Sequence, residues 1–148
     1  MKEIEHKFII NPKLLPKLRK GKNLIQGYLS RNPVVRVRLQ TNHKKQAWLT
    51  IKGKGSRVRE EFEWPIANKI GKKLMKLCGD NKLKKIRYEV GQWEIDEFRG
   101  RLKDLWMAEI ELKSKKTKLP KLPPWIVTEV TYDPKYTNAN LATIKSPP

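Results

Sequence analysis

Glu3, Glu5 and Lys7 stand two residues apart in the stretch KEIEHKF near the start of the chain. On an extended backbone successive side chains point to opposite faces, so these three share one face and Ile4, His6 and Phe8 share the other. Paired carboxylates of this kind can hold a hard divalent cation or move a proton, and the ammonium beside them can hold an anion. The arrangement recurs along the chain. Arg36 and Arg38 alternate with Val35, Val37 and Leu39, Thr50 and Lys52 with Leu49 and Ile51, and Arg59, Glu61 and Glu63 with Phe62 and Trp64. Lys85, Arg87 and Glu89 alternate with Ile86, Tyr88 and Val90, Glu94 and Asp96 with Trp93 and Ile95, and Glu109, Glu111 and Lys113 with Ala108, Ile110 and Leu112.

Acids are scarce here: 15 against 34 basic residues, a net charge of +19. Nine of the fifteen (Glu3, Glu5, Glu61, Glu63, Glu89, Glu94, Asp96, Glu109 and Glu111) nevertheless fall on these alternating faces. Cross-strand ion pairs on a solvated face, worth ~0.2–1 kcal/mol each, explain one such strand but not seven. A solubilising surface would draw on the abundant lysines. Carboxylates enclosed alone repel one another and take up protons, whereas carboxylates around a divalent cation stay ionised. Enclosed arginines and lysines call for an anion. The mixture fits a metal-bound polyphosphate, with oxygen ligands on Mg²⁺ or Mn²⁺ and guanidinium and ammonium groups on the phosphate oxygens.

The elements that must position these side chains follow from the same periodicity. Period-two stretches at about 3–10, 23–30, 34–41, 46–53, 58–66, 83–90, 92–99 and 106–113 predict eight strands joined mostly by short turns. Such a set forms an antiparallel sheet or closed barrel, here a barrel with its charged faces inward. The stretch ANKIGKKLMKLCGD predicts an amphipathic helix with Ile70, Leu74, Leu77 and Cys78 on its apolar face, ended by Gly79. PKLLPKLRKG has the length of a shorter helix, against which Pro16 argues. The basic, proline-bearing KSKKTKLPKLPPW reads as a connection. The tail beyond it carries Trp125, Ile126, Val130, Tyr132 and Tyr136 and is expected to pack back on the body. The expected class is α+β: one domain over 1–148, an eight-stranded antiparallel tunnel with a few helices outside.

A chain of 148 residues suits a single core. The strong positive charge names anions as partners: nucleic acid, membrane headgroups or a small polyphosphate. Cys78 is alone, so no internal disulfide forms and a reducing compartment is expected. No stretch approaches the ~18 apolar residues of a membrane span, and a cytoplasmic location is expected.

These residues resemble the CYTH superfamily, also called triphosphate tunnel metalloenzymes. The resemblance rests on the E-x-E-x-K of Glu3, Glu5 and Lys7, then QGYL with Tyr28, VRVRL with Arg36 and Arg38, and LTIKG with Lys52. It continues through REEFE with Glu61 and Glu63, KKIRYE with Lys85 and Arg87, WEIDEF with Asp96, AEIEL with Glu109 and Glu111, and EVTYDPKYTNANLA near the end. The resemblance implies a tunnel that binds a linear triphosphate with one or two divalent ions. It implies a metal-ligand set drawn from Glu3, Glu5, Glu61, Glu63, Asp96, Glu109 and Glu111, and a phosphate cradle of Lys7, Tyr28, Arg36, Arg38, Lys52, Lys85 and Arg87. Glu3 or Glu5 would orient and deprotonate the water, with Lys52 and Lys85 as further candidates for proton handling.

The chain departs from the family at His6, where Arg is common, and at KSKKTK, where an acidic stretch is common. Family members include class IV adenylyl cyclases, thiamine triphosphatases, RNA triphosphatases and inorganic tripolyphosphatases. No separable base-recognition signal stands in the sequence, and the tryptophans mostly fall on outward parity or in loops, with Trp48 inward. Inorganic tripolyphosphate is therefore the expected substrate, a nucleoside or thiamine triphosphate or a cyclase reaction the alternative. A non-catalytic polyphosphate or nucleic-acid binding protein is the reading from a different class.

Overall fold

A computed structural model describes residues 2–55 and 57–148, with the side chain of Glu3 outside the described set. Eight strands form the body: β1 (Lys2–Ile10), β2 (Lys22–Arg31), β3 (Val34–Gln40), β4 (Gln46–Lys52), β5 (Val58–Ile66), β6 (Lys82–Val90), β7 (Trp93–Arg99) and β8 (Trp106–Glu111). Each coincides with an expected stretch to within two residues at either end. All neighbours are antiparallel in the order β5-β4-β3-β2-β6-β7-β8-β1, and pairing of β1 with β5 closes the ring. The seam is short. Lys2, Glu3 and Ile4 lie opposite Glu60, Arg59 and Val58, and the Glu5 amide donates to the Arg57 carbonyl at 3.0 Å.

Beyond the seam β1 parts from β5 and pairs through Phe8–Ile10 with a ninth strand, β9 (Ile126–Glu129). The Lys7 amide donates to Thr131 Oγ1 at 3.0 Å and the Val130 amide to the Lys7 carbonyl at 2.8 Å, so the tail satisfies backbone groups that β5 leaves. The sequence did not announce β9. Four residues with only Ile126 partly covered are too few to show an alternation.

Alternation sorts the apolar side chains into three clusters. On one outer face Phe8, Ile10, Trp93, Ile95 and Ile110 pack with Trp125 from the 113–125 connection. The rings of Phe8 and Trp93 meet edge to face at 5.5 Å, those of Trp93 and Trp125 at 5.3 Å. A second outer cluster joins Val37, Leu39 and Ala47 to Met75 and Cys78 of α1 (Asn68–Leu77). The helix sits where expected, but its buried face is Gly71, Met75 and Cys78. Ile70 and Leu77, expected on that face, are 47% and 73% exposed. Glycine decides the rotation: a Cβ on Gly71 would stand 2.7 Å from Ala47 Cβ, and one on Gly27 of β2 would stand 2.5 Å from Met75 Sδ. Helix and sheet therefore meet more closely than any bulkier helical face allows.

The third cluster lies inside the barrel. Leu83, Phe98 and Met107 have the same parity as Lys85, Asp96 and Glu109, and they pack with Tyr28, Val130, Leu141 and Ala142. The tail thus covers one outer face with Trp125 and fills one end of the interior with Val130 and α2 (Asn138–Leu141); Tyr132, expected to pack, is exposed. PKLLPKLRKG forms only a 3₁₀ turn at Pro12–Leu14. Among the described residues no helix is long and apolar enough to cross a membrane.

Candidate active site

The inner face of the barrel surrounds a cavity of about 480 Å³. Closure and alternation together aim the charged side chains into it. Lys7 of β1 sits between Glu5 at 3.5 Å and Glu109 of β8 at 4.0 Å, and Arg59 of β5 reaches Glu5 at 3.6 Å. Burial alone would lower the pKa of Lys7, but Glu5 and Glu109 outweigh it and raise the group above the ordinary lysine value, so it is a fixed cation. Arg36 of β3 donates through Nη2 to Thr50 Oγ1 at 3.2 Å and Glu63 Oε2 at 3.4 Å, and Thr50 donates to the same carboxylate at 2.8 Å. Arg38 Nε donates to Gln26 Oε1 at 3.0 Å, and Gln26 Nε2 donates in turn to Tyr28 Oη at 3.1 Å. A phenol that accepts from Gln26 keeps its own proton to give.

Among the described residues, two buried polar atoms in this wall have no hydrogen-bond partner, Glu5 Oε1 and Arg36 Nε. Glu5 Oε1 is held only by the longer ion pairs to Lys7 and Arg59, and a buried polar atom without a hydrogen bond costs about 1–3 kcal/mol, so each atom retains capacity for a ligand in the cavity. Arg38 tells the same story: burial, with Arg36 and Arg87 nearby, lowers its pKa to about 9, still cationic at neutral pH.

Beneath the cavity wall lies a buried ionic knot. Arg87 of β6 grips Asp96 of β7 with Nε on Oδ1 and Nη2 on Oδ2, both at 2.8 Å, while Lys85 Nζ donates to Asp96 Oδ2 at 2.7 Å and to Asn138 Oδ1 at 3.2 Å. Burial would raise the Asp96 carboxyl, but Arg87 and Lys85 hold it well below the usual carboxylate range. Lys85 is pushed down to about 7 by complete burial, aided by Arg87 and opposed by Asp96. Arg87 also meets Glu94 at 3.3 Å and Glu109 at 3.5 Å.

Of the residues singled out from sequence, Glu5, Lys7, Tyr28, Arg36, Arg38, Lys52, Glu61, Glu63, Arg87, Glu109 and Glu111 line the cavity. Lys85 and Asp96 do not; they lie under the wall, with both Asp96 oxygens taken. The roles expected of the Glu3 side chain fall outside the described residues. Nine lining residues were not singled out: Arg59 and Glu94, whose alternation already placed them on the charged faces; Arg31, Asn32 and Val34 at the junction of β2 and β3; and Thr137, Asn138, Ala139 and Asn140 of the tail, where no period-two pattern runs.

Among the described residues no three His, Cys, Asp or Glu side chains converge as a ready-made metal cage. Glu5 faces Glu111 across β1 and β8, Glu109 follows two residues on, and Glu61 and Glu63 approach from β5, each interleaved with a cation. All are hard oxygen donors, and Glu5 Oε1 lacks a hydrogen-bond partner. This suits an ion that takes one or two carboxylates, several waters and the oxygens of a phosphate.

The CYTH domain family model matches residues 1–136. An inorganic triphosphatase of Acetivibrio thermocellus is 40% identical over 99% of this chain and 95% of its own length, and one of Nitrosomonas europaea is 32% identical over 96% and 97%. A crystal structure of an inorganic triphosphatase superposes with a TM-score of 0.66 at 28% identity, covering 97% of this chain and 96% of the other. A conserved hypothetical protein of Pyrococcus furiosus shares the fold with a TM-score of 0.56 at 21% identity over 77% and 80%. Closed barrel, charged interior and matches along nearly the whole length agree: the chain belongs to the CYTH domain family.

Proposed function

We propose that this protein hydrolyses a linear inorganic triphosphate to pyrophosphate and phosphate, with Mg²⁺ or Mn²⁺, inside the tunnel. The observation that carries the reading is the composition of the cavity wall, seven basic and six acidic side chains around about 480 Å³. Cations alone would suit a bare anion and carboxylates alone a bare metal; the near balance suits a metal-bound condensed phosphate. Two relatives named inorganic triphosphatase, at 40% and 32% identity, support the substrate. Tyr28 is the only aromatic residue lining the cavity among the described residues, and Trp48 lies outside it, so a nucleobase or a thiamine ring finds no stacking platform.

Lys7, Arg36, Arg38, Lys52, Arg59 and Arg87 hold the phosphate oxygens from several sides and fix the chain for in-line attack. Glu5, Glu61, Glu63, Glu109 and Glu111 form the set that would hold a divalent ion, which when bound would supply neutralising charge to the phosphates. Glu5, whose Oε1 lies within ion-pair distance of Lys7 and Arg59 but accepts no hydrogen bond among the described residues, accepts the proton of the attacking water. Water attacks the terminal phosphorus, the bond to the bridging oxygen breaks, and pyrophosphate leaves with the charge spread over the arginines. Tyr28, its proton unclaimed by Gln26, donates to a phosphate oxygen. Lys85 and Asp96 act through Arg87 as positioning residues.

Phosphate release from tripolyphosphate, ATP and thiamine triphosphate, each with and without Mg²⁺, tests this directly. Preference for tripolyphosphate is expected; preference for an organic triphosphate, or formation of cyclic AMP, overturns it.

A further inference from the structure

The strap joining β1 to β2 shapes a second concavity of about 720 Å³ at the rim of the barrel, beside the β6–β7 turn. Lys17, Arg19, Lys20 and Lys22 line it opposite Glu89, and Arg87 borders both this groove and the tunnel cavity. The charge patterns of the two spaces differ in kind. Where the tunnel sets seven basic side chains against six acids, the groove sets five against Glu89 alone. Lys22 meets Glu89 at only 3.9 Å with both side chains exposed, and among the described residues Lys17, Arg19 and Lys20 reach no carboxylate. A near-balanced wall suits an anion together with a metal ion; a one-sided wall suits an anion without one.

The strap is also held in place. A Cβ on Gly21 would stand 2.2 Å from Ile86 Cγ2 and 2.8 Å from Tyr88 Cε1, so the backbone presses on β6 on either side of Arg87. Pro16 restricts the other end of the same segment. Lys17, Arg19 and Lys20 are thereby carried on the groove that shares Arg87 with the tunnel cavity.

We propose that this groove is a second anion site, which holds the far end of a linear polyphosphate longer than the triphosphate while its near end lies in the tunnel. The identity of the ligand rests on the triphosphatase reading. An extended phosphoanhydride chain passing Arg87 would meet Lys20 and Lys22 and then Arg19 and Lys17, giving longer chains contacts that tripolyphosphate and pyrophosphate cannot make.

Calorimetric titration of the full chain in excess chelator, where turnover is suppressed, separates binding from cleavage. The probes are pyrophosphate, tripolyphosphate and a medium-chain inorganic polyphosphate. The variants are K17Q/R19Q/K20Q and, with the same change of net charge, K69Q/K72Q/K73Q on the exposed side of α1. The strap variant is expected to lose roughly tenfold in affinity for the medium chain, three exposed charge contacts acting together, and less than about twofold for the two short anions. The helix variant should change all three little. Independently of any variant, the medium chain should show a steeper salt dependence on the wild-type protein than tripolyphosphate does. Equal losses in the two variants, equal losses for short and long anions, or salt slopes that do not differ would each overturn the groove. Absence of tripolyphosphate hydrolysis with strap-dependent binding of the medium chain intact would instead remove the triphosphatase reading and leave the groove standing.

Discussion

Arg87 and Asp96, directly opposite on β6 and β7, are joined by two parallel hydrogen bonds of 2.8 Å each in the buried floor of the tunnel. The fork fixes the guanidinium plane and leaves Nη1 and Nη2 toward Glu94 and Glu109, on the cavity side. Asp96 thereby orients an arginine of the cavity wall.

Removing the carboxylate strands two buried cations. Asp96→Asn is expected to destabilise the fold by roughly 3–5 kcal/mol, the scale for breaking a buried pair. Glu94→Gln, whose side chain is 45% exposed, should change stability by less than about 1 kcal/mol. Urea denaturation of the two variants beside wild type separates these magnitudes.

Lys85 predicts a pH dependence. Its pKa in the fold is about 7 against an ordinary 10.5. Between those values the unfolded chain holds a proton that the folded chain has released, so stability rises with pH from about 7 toward 10.5. Lys85→Met removes this contribution, so the wild-type denaturation midpoint should rise relative to that of the variant across this window and keep a constant offset below it. A constant difference from pH 6 to 10 would show that Lys85 keeps its proton throughout.

The orphaned Nε of Arg36 is a prediction about affinity. Arg36→Lys keeps the charge and loses the fork, and it should raise KM for tripolyphosphate about 10- to 100-fold, the range for losing hydrogen bonds to a charged group. Steady-state kinetics at saturating Mg²⁺ give the split between KM and kcat.

The helix contact supplies a stability test. Gly71→Ala gains ~1 kcal/mol of helix propensity but drives a methyl to 2.7 Å from Ala47 Cβ, and overpacking of a filled contact costs about 1–3 kcal/mol. A lower Tm is expected, while Lys72→Ala on the exposed side should leave Tm within a degree or two. A higher Tm for Gly71→Ala would mean that helix and sheet separate easily.

Seven of the strands were legible because each carries two unlike faces, largely apolar outward and largely charged inward, and period two runs from Glu5 and Lys7 to Glu109 and Glu111; β2 instead turns Leu24, Gln26 and Tyr28 inward. Parity alone could not say how deep a side chain sits. Lys85 and Asp96 share a face with Arg87 and Glu94, yet two residues along a strand carry them from the cavity wall to the buried floor. The helix was placed correctly but turned wrongly, since hydrophobicity ranked Ile70 and Leu77 above Gly71 and only the closeness of the sheet reveals what a glycine is for. β9 and the inner plug of Val130, Leu141 and Ala142 depend on where the tail travels, which no local pattern records.

Whether the reaction takes place inside the barrel can be measured in one comparison: phosphate release from tripolyphosphate by wild type, by wild type with excess chelator, and by an Arg36→Gln/Arg38→Gln variant shown by circular dichroism to be folded. Rapid Mg²⁺-dependent release by wild type alone, with both other samples near background, is the predicted result. Activity that persists in the folded double variant, or in chelator, would place the chemistry somewhere other than this tunnel.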